Sequence, residues 1–241
     1  MASQFWCQMA PNPAYDHSVH ALGDWTLWRD GQWLVPHPVE YDEDEWVSLN
    51  TALYQGMPSM REHRDVIDRF DGPDYHSLTG RTWGHLYPNQ TGPDYCDARR
   101  HVIYLPGAVD VVVIVDVVQQ TPISRSDLLP KHQGYFDSGW LTGFLTASGP
   151  VALNGHQEAS WPAGSQTVTA RWLTPGDMRL RVLDGQRIQW SPQANRAYER
   201  VICVVAAGSP EAVSRMTARV FDTALRVQRP GMADVMIAHV G

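Results

Sequence analysis

Side chains that can move a proton come close together in the sequence around His17. Histidine changes its protonation state near neutral pH, so His17 is the first candidate for a general base. Other polar side chains near it in the sequence could assist, namely Tyr15, Arg29, His37 and Tyr41. Proton abstraction needs a base, an acid and a neutralising charge in one cleft, and the sequence does not assemble them. We therefore interpret His17 as a hydrogen-bonded residue at the start of a strand, with catalysis as the alternative.

Metal and cofactor motifs are not apparent in the sequence. The acidic loop Tyr41–Trp46 offers oxygen ligands for calcium, but it lacks the glycine and terminal glutamate of an EF-hand, so a solvated loop is preferred. Phosphate-binding and dinucleotide-binding fingerprints and a serine elbow are also missing. The remaining histidines fit neither the H-x-x-x-H nor the H-E-x-x-H spacing, and they include His63, His76, His85, His101 and His132. We expect neither a metal nor a cofactor.

The three cysteines, Cys7, Cys96 and Cys203, lie far apart in the sequence and form no C-x-x-C pair. This spacing excludes zinc ribbons and thioredoxin-like redox sites. One disulfide could form, but three buried free thiols are the preferred interpretation because free cysteine packs as a small apolar side chain.

Composition limits both the fold and the partners. A chain of 241 residues with 43% hydrophobic residues can bury a sizeable core, and an all-β protein of this length is commonly one domain, here 1–241. The net charge of −7 argues against binding to nucleic acid. The N-terminus has neither a basic region nor an apolar segment, and no stretch is long enough to cross a bilayer. We therefore expect synthesis in the cytoplasm without a signal peptide, and no membrane insertion.

The run Val111–Val118 is rich in valine and isoleucine, which pack well on a pleated sheet but lose rotamer freedom in a helix. It does not alternate polar with apolar residues, so we expect both of its faces to be covered. Arg100–Leu105 is a second strand, joined to it by a turn at Pro106–Ala108. Short strands separated by frequent turn signals predict an all-β fold, a large two-layer antiparallel β-sandwich (supersandwich-like) with at most one short helix.

The N-terminal part combines an arm and a hairpin. Residues 1–15 are interpreted as an arm, with Phe5, Trp6 and Tyr15 as its anchors on the body. Asp30-Gly31 lies in the middle of Trp25–Val35 and predicts a type I′ hairpin, because that turn requires positive φ at both central residues.

Capping and turn signals place the later elements. Ser209 before Pro210–Met216 predicts the helix, with the serine as N-cap and the proline in the first turn. The other predicted strands are Ser48–Tyr54, His63–Phe70, Tyr75–Trp83, Tyr135–Thr146, Val151–Leu153, Gln166–Leu173, Met178–Leu183, Arg187–Trp190 and Tyr198–Ala206, with a last hairpin over Thr223–Gln228 and Ala233–His239.

Several stretches between residues 15 and 120 occur in an order typical of one family. Asp16–Trp25 reads Asp-His-Ser-Val-His-Ala-Leu-Gly-Asp-Trp, and Leu27–Leu34 reads Leu-Trp-Arg-Asp-Gly-Gln-Trp-Leu. Further along are Tyr41, Leu49–Gly56, Arg100–Leu105 and Val111–Val118 with Asp116. Together they resemble the C-terminal β-sandwich of the heparinase II/III-like polysaccharide lyases, which carry Asp-His-x-His-x-Asp-x-Gly-x-Phe and then Leu-x-Arg-x-Gly-x-Trp-Leu. The resemblance covers 16–120, and 121–241 adds further strands.

The resemblance implies a zinc ion held by the sandwich and a catalytic tyrosine on a separate helical toroid N-terminal to it. Val19, Ala21 and Leu49 stand where the family has three of its polar motif residues, two histidines and an aspartate. Aliphatic side chains offer zinc no ligand. His20 is displaced by one residue, which turns its side chain to the opposite face of a strand. The sequence begins about fifteen residues before the first motif, so we expect no toroid in this chain.

These departures predict a non-catalytic β-sandwich that works by binding or assembly, with a protein partner, in a homo-oligomer or on a polysaccharide. Trp28, Trp33, Trp46 and Tyr41 are the candidate binding residues, since such rings stack on sugars or fill protein interfaces. Burial between two sheets is the alternative for each tryptophan. One alternative function is a reduced uronate lyase that acts by β-elimination with a partner chain and uses His17; another is an orphaned lyase fragment.

The predicted setting is a phage virion, in which the chain would serve as a capsid decoration or tail appendage. The reasoning is by analogy: a lyase meets its polysaccharide outside the cytoplasm, and virion proteins without an export signal are released by lysis.

Overall fold

Strands make up most of the regular structure in the computed structural model, which describes residues 3–9, 22–36, 50, 52–54, 63–84, 96–120, 141–174, 176–193 and 196–238. The strands of the first half are β1 (Ser3–Met9), β2 (Leu22–Arg29), β3 (Gln32–Val35), β4 (Ala52–Tyr54), β5 (His63–Asp71), β6 (His76–Gly84), β7 (Cys96–Leu105), β8 (Asp110–Gln120) and β9 (Leu141–Thr146).

The second half also consists mainly of strands. Its elements are β10 (Ala152–Leu153), β11 (Glu158–Ala163), β12 (Gln166–Trp172), β13 (Met178–Leu183), β14 (Arg187–Pro192), β15 (Tyr198–Gly208), α1 (Pro210–Ser214), β16 (Thr217–Val220), β17 (Ala224–Gln228) and β18 (Val235–Ala238). Within the ranges given above, no helix is long and apolar enough to span a bilayer.

The valine-rich strand β8 lies inside the largest sheet, whose order is β10-β11-β12-β15-β8-β7-β6-β5. It pairs antiparallel with β7 on one side and with β15 on the other. Val112, Ile114 and Val118 belong to one apolar cluster, whereas Val111 and Val113 belong to another on the opposite face. The expectation that both faces of this strand are covered is therefore confirmed.

Two smaller sheets cover one face of the large sheet, which we call the inner face. They are the N-terminal sheet, with the order β1-β2-β3, and a four-stranded sheet with the order β13-β14-β9-β4. Trp25 from the N-terminal sheet and Ile188 from the four-stranded sheet share one core with Trp161 and Trp172 of the large sheet. The arrangement confirms the predicted all-β sandwich.

The outer face of the large sheet is covered only in part. Helix α1 contributes Val213, and the small sheet β16-β17-β18 contributes Leu225 and Val227 to the second core. The helix begins as predicted, because the Ser209 hydroxyl accepts a hydrogen bond from the Ala212 amide at 3.3 Å. Beyond this cover, described side chains of the outer face such as Arg99 and Gln119 are exposed.

The predicted hairpin is also confirmed, and the prediction of three buried free thiols is confirmed for Cys96 and Cys203, whereas Cys7 is free but only half-buried. Asp30 and Gly31 both have positive φ, at 48° and 86°, as a type I′ turn requires. Cys7, Cys96 and Cys203 are all free, and the last two are buried. Burial raises the pKa of the Cys7 thiol to about 12, so at neutral pH it is an apolar packing group and not a nucleophile.

Candidate functional site

Arg29, one of the motif residues, is buried and ties the N-terminal sheet to the turn between β7 and β8. Its guanidinium donates to the Asp110 carboxylate at 2.9 Å and to the carbonyl oxygens of Gly107 and Ala108 at 3.2 Å. Both charged side chains are almost fully inaccessible to solvent. The side chain that the sequence offered as a neutralising charge in a cleft is therefore a structural link between two sheets.

Asp110 holds further groups besides Arg29. The Ser3 hydroxyl donates to its carboxylate at 2.7 Å, and the Tyr104 hydroxyl donates at 3.1 Å. Burial, together with the nearby charge of Asp110, raises the pKa of Tyr104. Tyr104 therefore stays a protonated hydrogen-bond donor at neutral pH and does not act as a base.

Arg100 and Asp116, from two other motif stretches, form a buried ion pair on the inner face. The Arg100 Nε and Nη2 atoms donate to the two carboxylate oxygens at 2.8 and 2.9 Å, and both residues are 1% exposed. The remaining guanidinium nitrogen donates to the carbonyl oxygens of Gly23 and Asn50 at 3.2 Å. This two-pronged geometry is the strongest form of a carboxylate–guanidinium contact.

Asn50 completes this network. Its amide nitrogen donates to the carbonyl oxygens of Trp25 and Pro36 at 2.7 and 2.9 Å, and its side-chain oxygen accepts from the Thr146 backbone at 2.6 Å. Its own backbone N–H donates to Asp24 at 2.8 Å. Asn50 therefore joins the N-terminal hairpin to β9, and its side chain is fully used in holding the fold.

The exposed face of the N-terminal sheet carries three tryptophans. Trp28 of β2 lies directly opposite Trp33 of β3 and next to Gln4 of β1. Trp6 lies opposite Thr26, two residues along β2 from Trp28, so alternation places its ring on the same side. Trp6 is 74% exposed and Trp33 is 52% exposed. We call Trp6, Trp28 and Trp33 the tryptophan face.

The tryptophan face rests on a rigid base. On the opposite side of the same sheet, the Phe5 ring stacks on Tyr104 at a centroid distance of 4.7 Å and lies 6.2 Å from the Trp25 ring. Leu27 is fully buried there. With strands about 4.8 Å apart, the backbone positions of Trp6 and Trp33 are roughly 12 Å apart, which suits a short oligosaccharide.

The structure brings two of the predicted binding residues together and adds a third. Trp28 and Trp33 face each other as the hairpin prediction implies. The prediction that Phe5 anchors the N-terminal segment is confirmed by its packing, but the same prediction for Trp6 is wrong, because this ring points to solvent. The predicted residues Trp46, Tyr41 and His17 lie outside the described residues.

The donor set does not fit a zinc ion. Val19, Ala21 and Leu49, which take three of the motif positions that are polar in the family, have no donor atoms and lie outside the described residues. Asn50, which follows Leu49 in the sequence, has its side chain engaged with backbone groups. In the described ranges, no three His, Cys, Asp or Glu side chains come together in a way that would hold a metal. We derive no chemistry through a metal.

No protein-family model and no curated protein matches this sequence. Solved structures do match. Heparinase III superimposes on it with a TM-score of 0.65 at 13% identity, over 98% of this chain and 39% of the lyase. The heparan sulfate lyase HepC from Pedobacter heparinus superimposes with a TM-score of 0.60 at 12% identity, over 93% of this chain and 38% of the lyase. The chain thus spans about two fifths of the length of these lyases.

The superposition extends well past the motifs from which the resemblance was predicted. Those motifs cover 16–120, whereas both lyases align with more than nine tenths of the chain. The aligned part therefore includes most of the eight-stranded sheet and of the two sheets on its inner face. The chain therefore has the β-sandwich fold of the heparinase II/III-like polysaccharide lyases.

Proposed function

We propose that the chain is a non-catalytic β-sandwich module that binds a neutral polysaccharide on the tryptophan face. The observation that carries the proposal is the placement of three tryptophans, Trp6, Trp28 and Trp33, on one side of a three-stranded sheet, where Trp6 and Trp33 are exposed and Trp28 is half-buried. Exposed tryptophans on a monomer need an explanation because large apolar patches usually mark binding sites. A row of flat rings matches the apolar faces of successive sugar rings.

The base of this face supports binding without rearrangement. Phe5 and Leu27 hold the sheet from below, and Arg29 ties it to the turn before β8. A preformed site loses little conformational freedom when a ligand binds, so more of the contact energy appears as affinity.

A neutral glycan is preferred to a sulfated one. Gln4 and Thr26, which lie opposite Trp28 and Trp6, are uncharged, Asp24 on the same side of β2 is acidic, and the chain has a net charge of −7. A polyanion would meet no neutralising cation among them. The two solved structures named above are lyases, one of them of heparan sulfate. The ligand proposed for this module is therefore of a different class from heparan sulfate.

Loss of catalysis is inferred from residue types. Val19, Ala21 and Leu49 replace polar motif residues of the family and cannot ligate zinc. Arg29, the arginine of the second motif stretch, is buried in a structural ion pair with Asp110. The setting predicted from the sequence, a virion or another assembly, stays a prediction.

Calorimetric titration of the full chain with cellohexaose tests the proposal. We expect binding that changes little with salt and weakens at least tenfold, about 1.4 kcal/mol, in Trp33→Ala and in Trp6→Ala. Phe221→Ala, which removes a ring 50% exposed elsewhere on the surface, is the matched control and should bind as the wild type does. Equal binding by all four proteins, or binding by none to cellohexaose, would overturn the proposal.

The same protein tests the alternative lyase function. Incubation with heparan sulfate or another uronate polymer would raise the ultraviolet absorbance if an unsaturated uronate formed. Product that appears with the wild type and is lost in His17→Ala would establish β-elimination and contradict the non-catalytic assignment. We expect no product.

A further inference from the structure

The open part of the outer face contains a groove of about 430 Å³, on the other side of the large sheet from the N-terminal sheet. Strands β7 and β8 form its floor, Tyr198 at the start of β15 forms one edge, and Ile237 of β18 forms part of its wall. Its lining mixes apolar side chains, such as Val115, with charged ones, such as Arg99. This combination is typical of a site for a small organic ligand.

Strand register places three arginines in one row across this face. Arg81 of β6 lies opposite Arg99 of β7, Arg99 lies opposite Val117 of β8, and Val117 lies opposite Arg200 of β15. Directly opposite residues share a face of the sheet, so all these side chains point outward. Two acids accompany this row, because Asp65 of β5 lies opposite Arg81 and Asp97, which also lines the groove, forms an ion pair with Arg81. Arg99 is the arginine of the row that lines the groove.

The three arginines differ in how they are held. Arg81 forms an ion pair with Asp97, with the Nε atom 2.9 Å from the carboxylate, and its guanidinium lies 4.6 Å from the centroid of the Trp83 ring. Arg99 is exposed at the groove, and Arg200 is half-buried on the other side of Val117. Arg99 is therefore the cation best placed to meet a ligand in the groove.

A ring can stack at the edge of the groove. Tyr198 is 47% exposed and lies opposite Gln119, one row away from the arginines. Ile103 and Val117, which are half-buried, offer an apolar surface within the same groove. A guanidinium recognises a carboxylate through paired hydrogen bonds, and the tyrosine and aliphatic side chains favour a flat or ring-shaped body beside it.

We infer that this groove binds a ring-bearing carboxylate, with the carboxylate on Arg99 and the ring against Tyr198. The groove and the tryptophan face lie on different sheets and opposite sides of the molecule, so the inference does not depend on the proposed function. The ligand chemistry has two sources, a sugar acid or an aromatic acid, and both present the same charged group and a ring.

Calorimetry on the full chain with two matched probe pairs tests the inference. Cellobiouronic acid and cellobiose differ in one carboxylate, as do benzoate and benzyl alcohol. We expect at least one acid to bind with a dissociation constant of about 1 mM or tighter, at least tenfold tighter than its neutral match, and more weakly as salt is added. The acid that binds identifies the source.

Two variants connect binding to the groove. Arg99→Gln should weaken binding of the acid at least tenfold with an unchanged melting temperature, because Arg99 is exposed. Arg215→Gln, at an arginine 62% exposed beside the helix, should bind as the wild type does. The inference is overturned if neither acid binds, if a neutral probe binds as tightly as its acid, or if Arg99→Gln keeps the wild-type affinity.

Discussion

Strand β7 takes part in two arginine–aspartate pairs that lie on opposite faces of the same sheet. On the inner face, Arg100 of β7 pairs with Asp116 of β8, and each is 1% exposed. On the outer face, Asp97 of β7 pairs with Arg81 of β6, and the two side chains are 21% and 30% exposed. The residue types are the same, and the arginine Nε atoms lie at similar distances from the carboxylates, 2.8 and 2.9 Å.

The difference between the two pairs lies in what surrounds them. Arg100 spends its remaining donors on the carbonyl oxygens of Gly23 and Asn50, so removing it would leave several buried groups without a partner. In the outer pair, water can supply the lost hydrogen bonds if either Arg81 or Asp97 is removed. A charged residue on the inner face therefore has a structural role, whereas a charged residue on the outer face is accessible to solvent. Because side chains alternate along a strand, the position of a residue in β7 determines which face it is on.

The largest predicted effect comes from breaking the inner pair. Arg100→Ala leaves the Asp116 carboxylate buried without its partner and should lower the free energy of unfolding by about 3–5 kcal/mol. Arg81→Gln is the matched change on the outer face and should cost about 1 kcal/mol or less. Urea unfolding of both variants measures the difference. Equal losses would show that burial does not separate the two pairs.

A double substitution sharpens the same comparison. Arg100→Met together with Asp116→Leu removes both charges and keeps side chains of similar size in the core. It should recover most of the stability lost in Arg100→Ala, because replacing a whole buried pair by apolar groups is often neutral. A double variant as unstable as the single one would mean that the contacts to Gly23 and Asn50 matter more than the pair itself.

A smaller loss is expected at Asn50, which extends the inner network without carrying a charge. Asn50→Ala removes the partners of the Trp25 and Pro36 carbonyl oxygens and of the Thr146 amide. Unsatisfied buried groups of this kind cost about 2–3 kcal/mol in total, which chemical unfolding would detect.

Asn154 provides the control for that substitution. Its side chain also makes two hydrogen bonds, to Glu158 and Ser160, but it lies at the surface. Asn154→Ala should change the free energy of unfolding by about 0.5 kcal/mol or less. A comparable loss of unfolding free energy in both variants would contradict the claim that burial makes the hydrogen bonds of Asn50 more important than those of Asn154.

Some elements could be predicted from a few adjacent residues of the sequence. The non-alternating run Val111–Val118 indicated a doubly covered strand, Asp30-Gly31 indicated the hairpin, and Ser209 indicated the helix start. Each signal comes from backbone geometry or side-chain shape at the site itself, so no distant partner is needed to read it.

Strands that depend on distant partners were missed. Glu158–Ala163 contains Pro162 and small residues, which have low strand propensity. It forms β11 because it pairs with β10 and β12 and because Trp161 is buried and donates to the Leu34 carbonyl at 2.9 Å. Ser3–Met9, within the segment interpreted as an arm, becomes a strand by pairing with β2.

The residues of the candidate site also differ in whether local sequence could predict them. Trp28 and Trp33 could be predicted to meet because a two-residue turn fixes their register. Trp6 joins them only through pairing between β1 and β2, which no local pattern reveals. Alternation along β2 places Arg29 on the same side as the buried Trp25, and this local pattern is enough to indicate a structural role for the arginine.

The smallest predicted effect concerns His101, a histidine of the outer face in the described part of the chain whose pKa is shifted. Burial lowers the pKa of His101, and the nearby Arg99 adds to this, whereas Asp116 and Asp68 oppose it. The folded state therefore binds the proton less well than the unfolded state does. The resulting stability is present above the unfolded pKa of about 6.5 and is lost as the pH falls through the lower folded value.

His101→Gln tests this dependence, because glutamine can still share a hydrogen bond with the Thr79 hydroxyl, which lies 3.0 Å from the His101 Nδ1 atom. We expect the melting temperature of the wild type to fall more between pH 7.5 and pH 5.5 than that of the variant. A parallel fall in both proteins would show that His101 is solvated enough to protonate in place. Side chains of the outer face would then be better hydrated than their exposed fractions indicate. The difference in hydration between this face and the buried Arg100–Asp116 pair on the inner face would be correspondingly larger.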